Sequence, residues 1–178
     1  MEFYLAQICG VLIMICNAVS VQFKTKDKVL ICFVVANLFG IAQYFLLDAI
    51  TAAVVYIIST IRCIVFYYYE KKDLKPALTI LLIFEIVAII SGIASWQNIW
   101  SIIPIIVTVV FTYGLWQNNL KITRISTAIT GFGWVFYNII VRAYVGAIFD
   151  GVLGISSIIA LIRNKNNVAN KDNLNQEV

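Results

Sequence analysis

Long apolar runs alternate along the chain with short polar breaks, and the runs are apolar on every face instead of carrying the single stripe of a soluble helix. A bilayer core of about 30 Å takes roughly twenty helical residues at 1.5 Å each. Runs of that length predict seven spanning helices, at 3–23, 29–47, 49–69, 74–95, 99–116, 121–141 and 144–162. The breaks are only a few residues long, so consecutive helices are expected to be antiparallel neighbours. The first run follows Met1-Glu2 with no basic segment before it and no small-residue cleavage site, which predicts a span and not a removed signal. The last stretch, 164–178, is polar and asparagine-rich without apolar period, and predicts a disordered cytoplasmic tail.

The pattern also repeats. Residues 129–163 lie on residues 36–69 when the chain is slid back, Phe39 on Phe132, Gly40 on Gly133 and Tyr44 on Tyr137 at a spacing of 93, then Ala49 on Ala143, Ala53 on Ala147 and Tyr56 on Asp150 at 94. Three helices per copy with one left over predicts a 3+1+3 architecture: a first three-helix repeat at 1–70, a linker span at 71–96, a second three-helix repeat at 97–163 and the tail. Because three is odd, the linker lets both copies insert the same way, giving parallel repeats about an axis along the membrane normal, with a central cavity between them.

Composition changes the picture little. At 62% hydrophobic and 12% charged residues, with a mean hydropathy of +0.93, the chain has more apolar surface than a soluble domain of 178 residues could hide, so an all-α integral membrane protein is expected. The net charge of +4 sits on single basic residues and forms no stripe, so no nucleic-acid partner is expected. Instead the charge sets orientation: Lys24, Lys26, Lys28, Lys71, Lys72, Lys75, Lys121, Arg124, Arg163, Lys165 and Lys171 fall on one side and Arg142 alone on the other. That bias places the N-terminus outside and the C-terminus in the cytoplasm. Aromatics fit those edges, with Tyr4, Tyr44, Trp96, Trp100 and Tyr144 read as the outer belt and Trp116 and Tyr67-Tyr68-Tyr69 as the inner one.

Candidate chemistry is confined to polar groups inside the spans, each of which needs a reason to be there. With no histidine, and with Cys9, Cys16, Cys32 and Cys63 scattered through apolar runs, neither a His-based catalytic site, a metal site, a disulfide framework nor a cofactor is expected. Without a paired acid and base the chain is not expected to be an enzyme. Asp150 shares a helix face with Gly146, Gly154 and Ser157, which reads either as a substrate or proton site or as a small-residue packing stripe holding a satisfied acid. Arg62 reads as a cation snorkelling to headgroups, an anion contact, or a partner for Asp150. Glu85, ringed by apolar residues, reads as a neutral structural acid or a proton-coupling group. Asn37 and Asn138 suit hydroxyl-bearing ligands or interhelical hydrogen bonds. Trp134, after Gly131-Phe132-Gly133, is a flat stacking surface or bulk filling, Tyr56 faces the same interior, and Pro104 could kink the fifth helix.

Leu5-Ala6-Gln7 with Gly10, the stretch from Ala53 to Ile61-Arg62, Ile103-Pro104-Ile105, and Trp134 followed by Asn138, Gly146 and Asp150 resemble the YgjV-type bacterial inner-membrane protein family. That family is similar in turn to the SWEET and PQ-loop superfamily of seven-span transporters. The resemblance implies an inner-membrane, SWEET-like transporter of a small polar solute by alternating access, with Asn37, Tyr56, Trp134, Asn138 and Asp150 lining the site. Trp134 looks like the stacking tryptophan of the superfamily's sixth helix. An acid stands in the seventh helix where an amide is usual, and most gating prolines are absent, so a cation or a proton-coupled solute fits better than a sugar. A non-transporting receptor or assembly factor on the same fold is the alternative, and a homo-oligomer is compatible with either.

Overall fold

The computed structural model describes residues 1–20, 23, 26–74, 76–117 and 120–176; Lys24, Lys75 and residues 177–178 lie outside it. Among the described residues the chain is all-helical, with α1 Glu2–Ser20, α2 Lys26–Leu46, α3 Ile50–Lys71, α4 Leu78–Ala94, α5 Ile102–Trp116, α6 Leu120–Ile140 and α7 Tyr144–Gln176, and a 3₁₀ turn, Ile99–Ser101, leading into α5. Four stretches, Glu2–Ser20, Asp27–Leu46, Ile50–Lys71 and Ile99–Trp116, are long and apolar enough to cross a membrane, and Leu78–Ala94 and Tyr144–Ile159 are shorter apolar helices.

Two ends differ from the sequence reading. Helix α4 starts only at Leu78, because Pro76 disfavours helix at the residue before it and Ala77 is extended, at φ −64°, ψ 155°. Helix α7 runs on to Gln176, past the point where a disordered tail is predicted at 164–178; after Gly154 the sequence has neither glycine nor proline to end it.

In chain order α1 packs on α2 and α2 on α3, α5 packs on α6 and α6 on α7, while α1 meets α7, α3 meets α5, and α4 lies against α3 and α5. The helices are inside out relative to a soluble bundle. Ile148, Val152, Ile155 and Ile159 form one exposed stripe of α7, whereas Ala147, Gly154 and Ser157 of the same helix are buried. Apolar residues outside with small and polar residues inside is the distribution a lipid environment requires.

At one end of the bundle the α2–α3 and α6–α7 turns face each other. Asp48 and Arg142 both adopt the left-handed conformation, at φ 55° and 63°. The hydrogen bonds match as well: Ala49 N–H donates to Tyr44 O at 2.9 Å and Ala143 N–H to Asn138 O at 2.8 Å, the capping that ends a helix with one left-handed residue. These bonds make Tyr44 the counterpart of Asn138, so the sequence match of Tyr44 to Tyr137 is one residue out of register. The turns also exchange caps, since Gln7 Nε2 of α1 donates to Arg142 O and Gln97 Nε2, just before α5, donates to Asp48 O, each at 2.8 Å. Asp48→Val, which forces a β-branched residue into the left-handed region, is expected to cost about 1 kcal/mol or more, and Asp48→Asn almost nothing. Equal melting temperatures for the two in detergent would count against this turn.

Between the turns sits a core of Tyr44, Ala49, Ala52, Ala53, Tyr137 and Ala143, in which the alanines let the helices approach closely around large rings. A second cluster at Leu30, Cys63 and Phe66, packed by Phe84 and Leu115, joins α2, α3, α4 and α5 towards the other end.

Candidate functional site

Below the paired turns, α2, α3, α6 and α7 each deliver a polar or aromatic side chain to one place. Tyr44 Oη donates to Asn138 Oδ1 at 2.6 Å, and Asn138 Nδ2 donates to Asp150 Oδ2 at 2.8 Å, a chain linking α2, α6 and α7. Tyr44 and Asn138 are almost completely buried, at 2% and 1% exposure, so these bonds are made away from bulk solvent. Gly146 leaves the room Asn138 needs, because a Cβ there would stand 3.0 Å from Nδ2. Four rings pack over the chain: Tyr44 to Tyr56 at 5.1 Å between centroids, Tyr44 to Trp134 at 5.8 Å, Tyr56 to Trp134 at 5.4 Å and Trp134 to Tyr137 at 5.9 Å. Gly40 of α2 makes this possible, since a side chain there would overlap the Tyr56 ring.

Between the two turns opens a cavity of about 470 Å³ lined by Glu2, Asp48, Ala49, Gln97, Tyr137 and Arg142 among others. Its size falls within the usual range for ligand pockets, about 300–1,000 Å³. Tyr137 is 3% exposed and also touches the Trp134 ring, so one residue is shared by this vestibule and the aromatic group.

Of the residues singled out from sequence, the structure brings Tyr56, Trp134, Asn138 and Asp150 together. Asn37 is elsewhere, on the contact of α2 with α3, its Nδ2 3.7 Å from Cys63 Sγ. Arg62 neither snorkels nor meets Asp150: at 3% exposure it donates through Nη1 to Thr112 Oγ1, lies 5.7 Å from the Phe111 ring centroid, and leaves Nε buried without a partner. Thr112 passes the bond on to Thr108 O at 2.7 Å, tying α3 to α5. Glu85 on α4 is half-buried and points Oε2 into a place where no partner meets it. Pro104 lies in the first turn of α5, just after the 3₁₀ turn, where a missing N–H is tolerated.

Tyr44 is the residue the sequence reading misplaced. Read as a belt aromatic, it is instead the most enclosed ring of the site; Trp96, Trp100 and Tyr144, read the same way, are exposed at 42%, 43% and 49%. The signal available was the small residue at Gly40, one helical turn before it, which opens α2 to a neighbour. Among the described residues no group of three or more His, Cys, Asp or Glu could hold a metal ion.

An apolar exterior, a polar hydrogen-bonded interior and helices of spanning length define a helical integral membrane protein. More narrowly, residues 4–167 match the model of the Imp-YgjV family, bacterial inner membrane protein, and the chain belongs to that family. No curated protein and no solved structure matches it.

Proposed function

We propose that the chain is a seven-span transporter of a small polar solute, made of two parallel three-helix repeats, 1–70 and 97–163, that rock about a site at Tyr56, Trp134, Asn138 and Asp150. The span at 71–96 joins them, the N-terminus is outside and the C-terminus cytoplasmic. The observation that carries this reading is the exchange of caps between the turns, in which Gln7 of the first repeat holds Arg142 of the second while Gln97 of the second holds Asp48 of the first. The packing order supports it too: exchanging α1 for α5, α2 for α6 and α3 for α7 turns the contact of α3 with α5 into that of α7 with α1. Tyr44 and Asn138, counterparts in the two turns, bond to each other across the interface such a motion would use. The vestibule supplies an entrance on one side, and Tyr137, which lines it, also packs on Trp134 of the site. No covalent chemistry is assigned to the chain.

Proteoliposomes loaded with a mixture of labelled metabolites test the proposal. Wild-type protein is expected to release at least one small polar solute faster than empty liposomes, and Asp150→Asn to slow that release by about tenfold or more. Flux equal in the two would take Asp150 out of the mechanism. Release no faster than from empty liposomes, alongside a stably co-purifying protein, would favour a receptor or assembly role.

A further inference from the structure

The vestibule is walled by four segments of chain from one end of the bundle: the start of α1, the α2–α3 turn, the connection of α4 to α5, and the α6–α7 turn. Its lining includes three charged residues, Glu2, Asp48 and Arg142. Two carboxylates and one guanidinium thus belong to a single space of about 470 Å³, and among the described residues none of the three is in an ion pair. The polar network described above uses none of these side chains.

Two of these charges stand where the backbone alone favours another residue. Asp48 and Arg142 are the left-handed residues that follow α2 and α6, at corresponding places in the two turns. Glycine or asparagine takes that conformation with least strain; aspartate tolerates it, and arginine is strained there. The cap bonds from Gln7 and Gln97 go to the backbone carbonyls of Arg142 and Asp48, so the turns are held without either charged side chain. Those side chains are left to serve the cavity their residues line: an anion on one turn, a cation on its counterpart, and a second carboxylate from Glu2. A ligand of one charge meets a like charge there as well as an opposite one. A molecule bearing both signs answers both, since an ammonium donates to carboxylates and a carboxylate or phosphate fits the guanidinium fork with two parallel hydrogen bonds. Phe3, Trp100 and Tyr137 add ring surface to the same lining, suited to the carbon between the two charges.

We propose that the vestibule binds a small zwitterion, its ammonium at Asp48 and Glu2 and its carboxylate or phosphate at Arg142. A free amino acid and an ethanolamine-phosphate lipid headgroup share that chemistry. The site names the class of solute met at the entrance and rests on the transport reading above for passage, though not for binding.

Alanine and phosphoethanolamine are the probes, titrated to millimolar concentration into the full chain in an uncharged detergent and followed by saturation-transfer NMR. Ethanolamine and propionate, each carrying one charge alone, and glucose, a neutral hydroxylated solute, are the controls. At least one zwitterion is expected to bind about fivefold or more tighter than every control, the effect of one solvent-facing charge contact. Binding of alanine identifies a free solute, and binding of phosphoethanolamine alone a lipid headgroup. Arg142→Asn and Asp48→Asn place a residue suited to the left-handed position in each turn, so both are expected to melt with wild type or above it and yet to weaken the zwitterion about fivefold. That split separates loss of recognition from loss of fold. Unchanged binding by Arg142→Asn, glucose binding equal to that of the zwitterions, or no zwitterion binding by folded wild type would overturn the assignment. Zwitterion binding without zwitterion flux in proteoliposomes would leave the site standing and remove transport, whereas flux of another solute without zwitterion binding would do the reverse.

Discussion

Replacing Asn138 with leucine is expected to destabilise the folded protein by about 2–4 kcal/mol, more than any other single polar change in the interior. Leucine fills a similar volume, so packing loss is small; the cost comes from the partners left behind. Tyr44 Oη loses its acceptor and Asp150 Oδ2 its donor. Each orphaned buried group costs about 1–3 kcal/mol, more when charged, and a membrane interior offers no water to replace either bond. A chain unfolded within lipid or detergent finds some substitute partners, which keeps the sum near the lower half of that range. Tyr44→Phe removes one end of the chain and leaves the Asn138–Asp150 bond, so it should cost only about 1 kcal/mol. Unfolding in increasing denaturing detergent gives the order directly: wild type, then Tyr44→Phe, then Asn138→Leu. Equal stability of Asn138→Leu and wild type would mean that the linked bonds between α2, α6 and α7 are not made.

The helices were legible because span length is imposed by bilayer thickness and the breaks are polar, so 49–69 from sequence falls on Ile50–Lys71 and 121–141 on Leu120–Ile140. Asn138 and Asp150 were legible as site candidates because a polar group in an apolar run is conspicuous whatever it packs against. Their mutual bond was not, because i and i+12 across a tight turn are brought together by the cap geometry at Arg142, and a residue with φ of 63° there is not visible in its identity. Tyr44 failed for a related reason. An aromatic near a helix end usually marks a headgroup region, and only the contacts of Tyr44 with Asn138 and Trp134 of α6 hold it inward. Arg62 differs from its sequence expectation because its partner, Thr112, lies on α5, fifty residues away, and nothing local announces that contact. A stripe of small and polar residues through Ala52, Tyr56, Ser59 and Cys63 was the one sequence feature that marked this face of α3 as internal.

The same logic of close approach makes Gly131→Leu the most damaging expected change outside the polar chain. A Cβ at Gly131 would stand 3.0 Å from Asp150 O, 3.1 Å from Gly154 Cα and 3.2 Å from Gly154 N, all backbone atoms of α7 that cannot swing aside. Alanine already requires the two helices to part by a few tenths of an ångström; leucine requires several times that. Lipid supplies no hydrophobic force to hold helices together, so α6 and α7 depend on close packing and hydrogen bonds, and a wedge between them loses both. The separation also draws Asp150 away from Asn138, adding an orphaned acid to the lost packing. Gly131→Leu is expected to cost about 3 kcal/mol or more and Gly131→Ala about 1 kcal/mol. Gly151 of α7 provides the control, because its Cβ would meet only Val135 Cγ2 at 3.6 Å, an ordinary contact. Gly151→Ala should therefore melt with wild type or slightly above it, alanine being the better helix former. If Gly131→Leu and Gly151→Ala unfold at the same detergent concentration, α6 and α7 do not cross at Gly131 and Gly154, and the seat of Asp150 is not built as described.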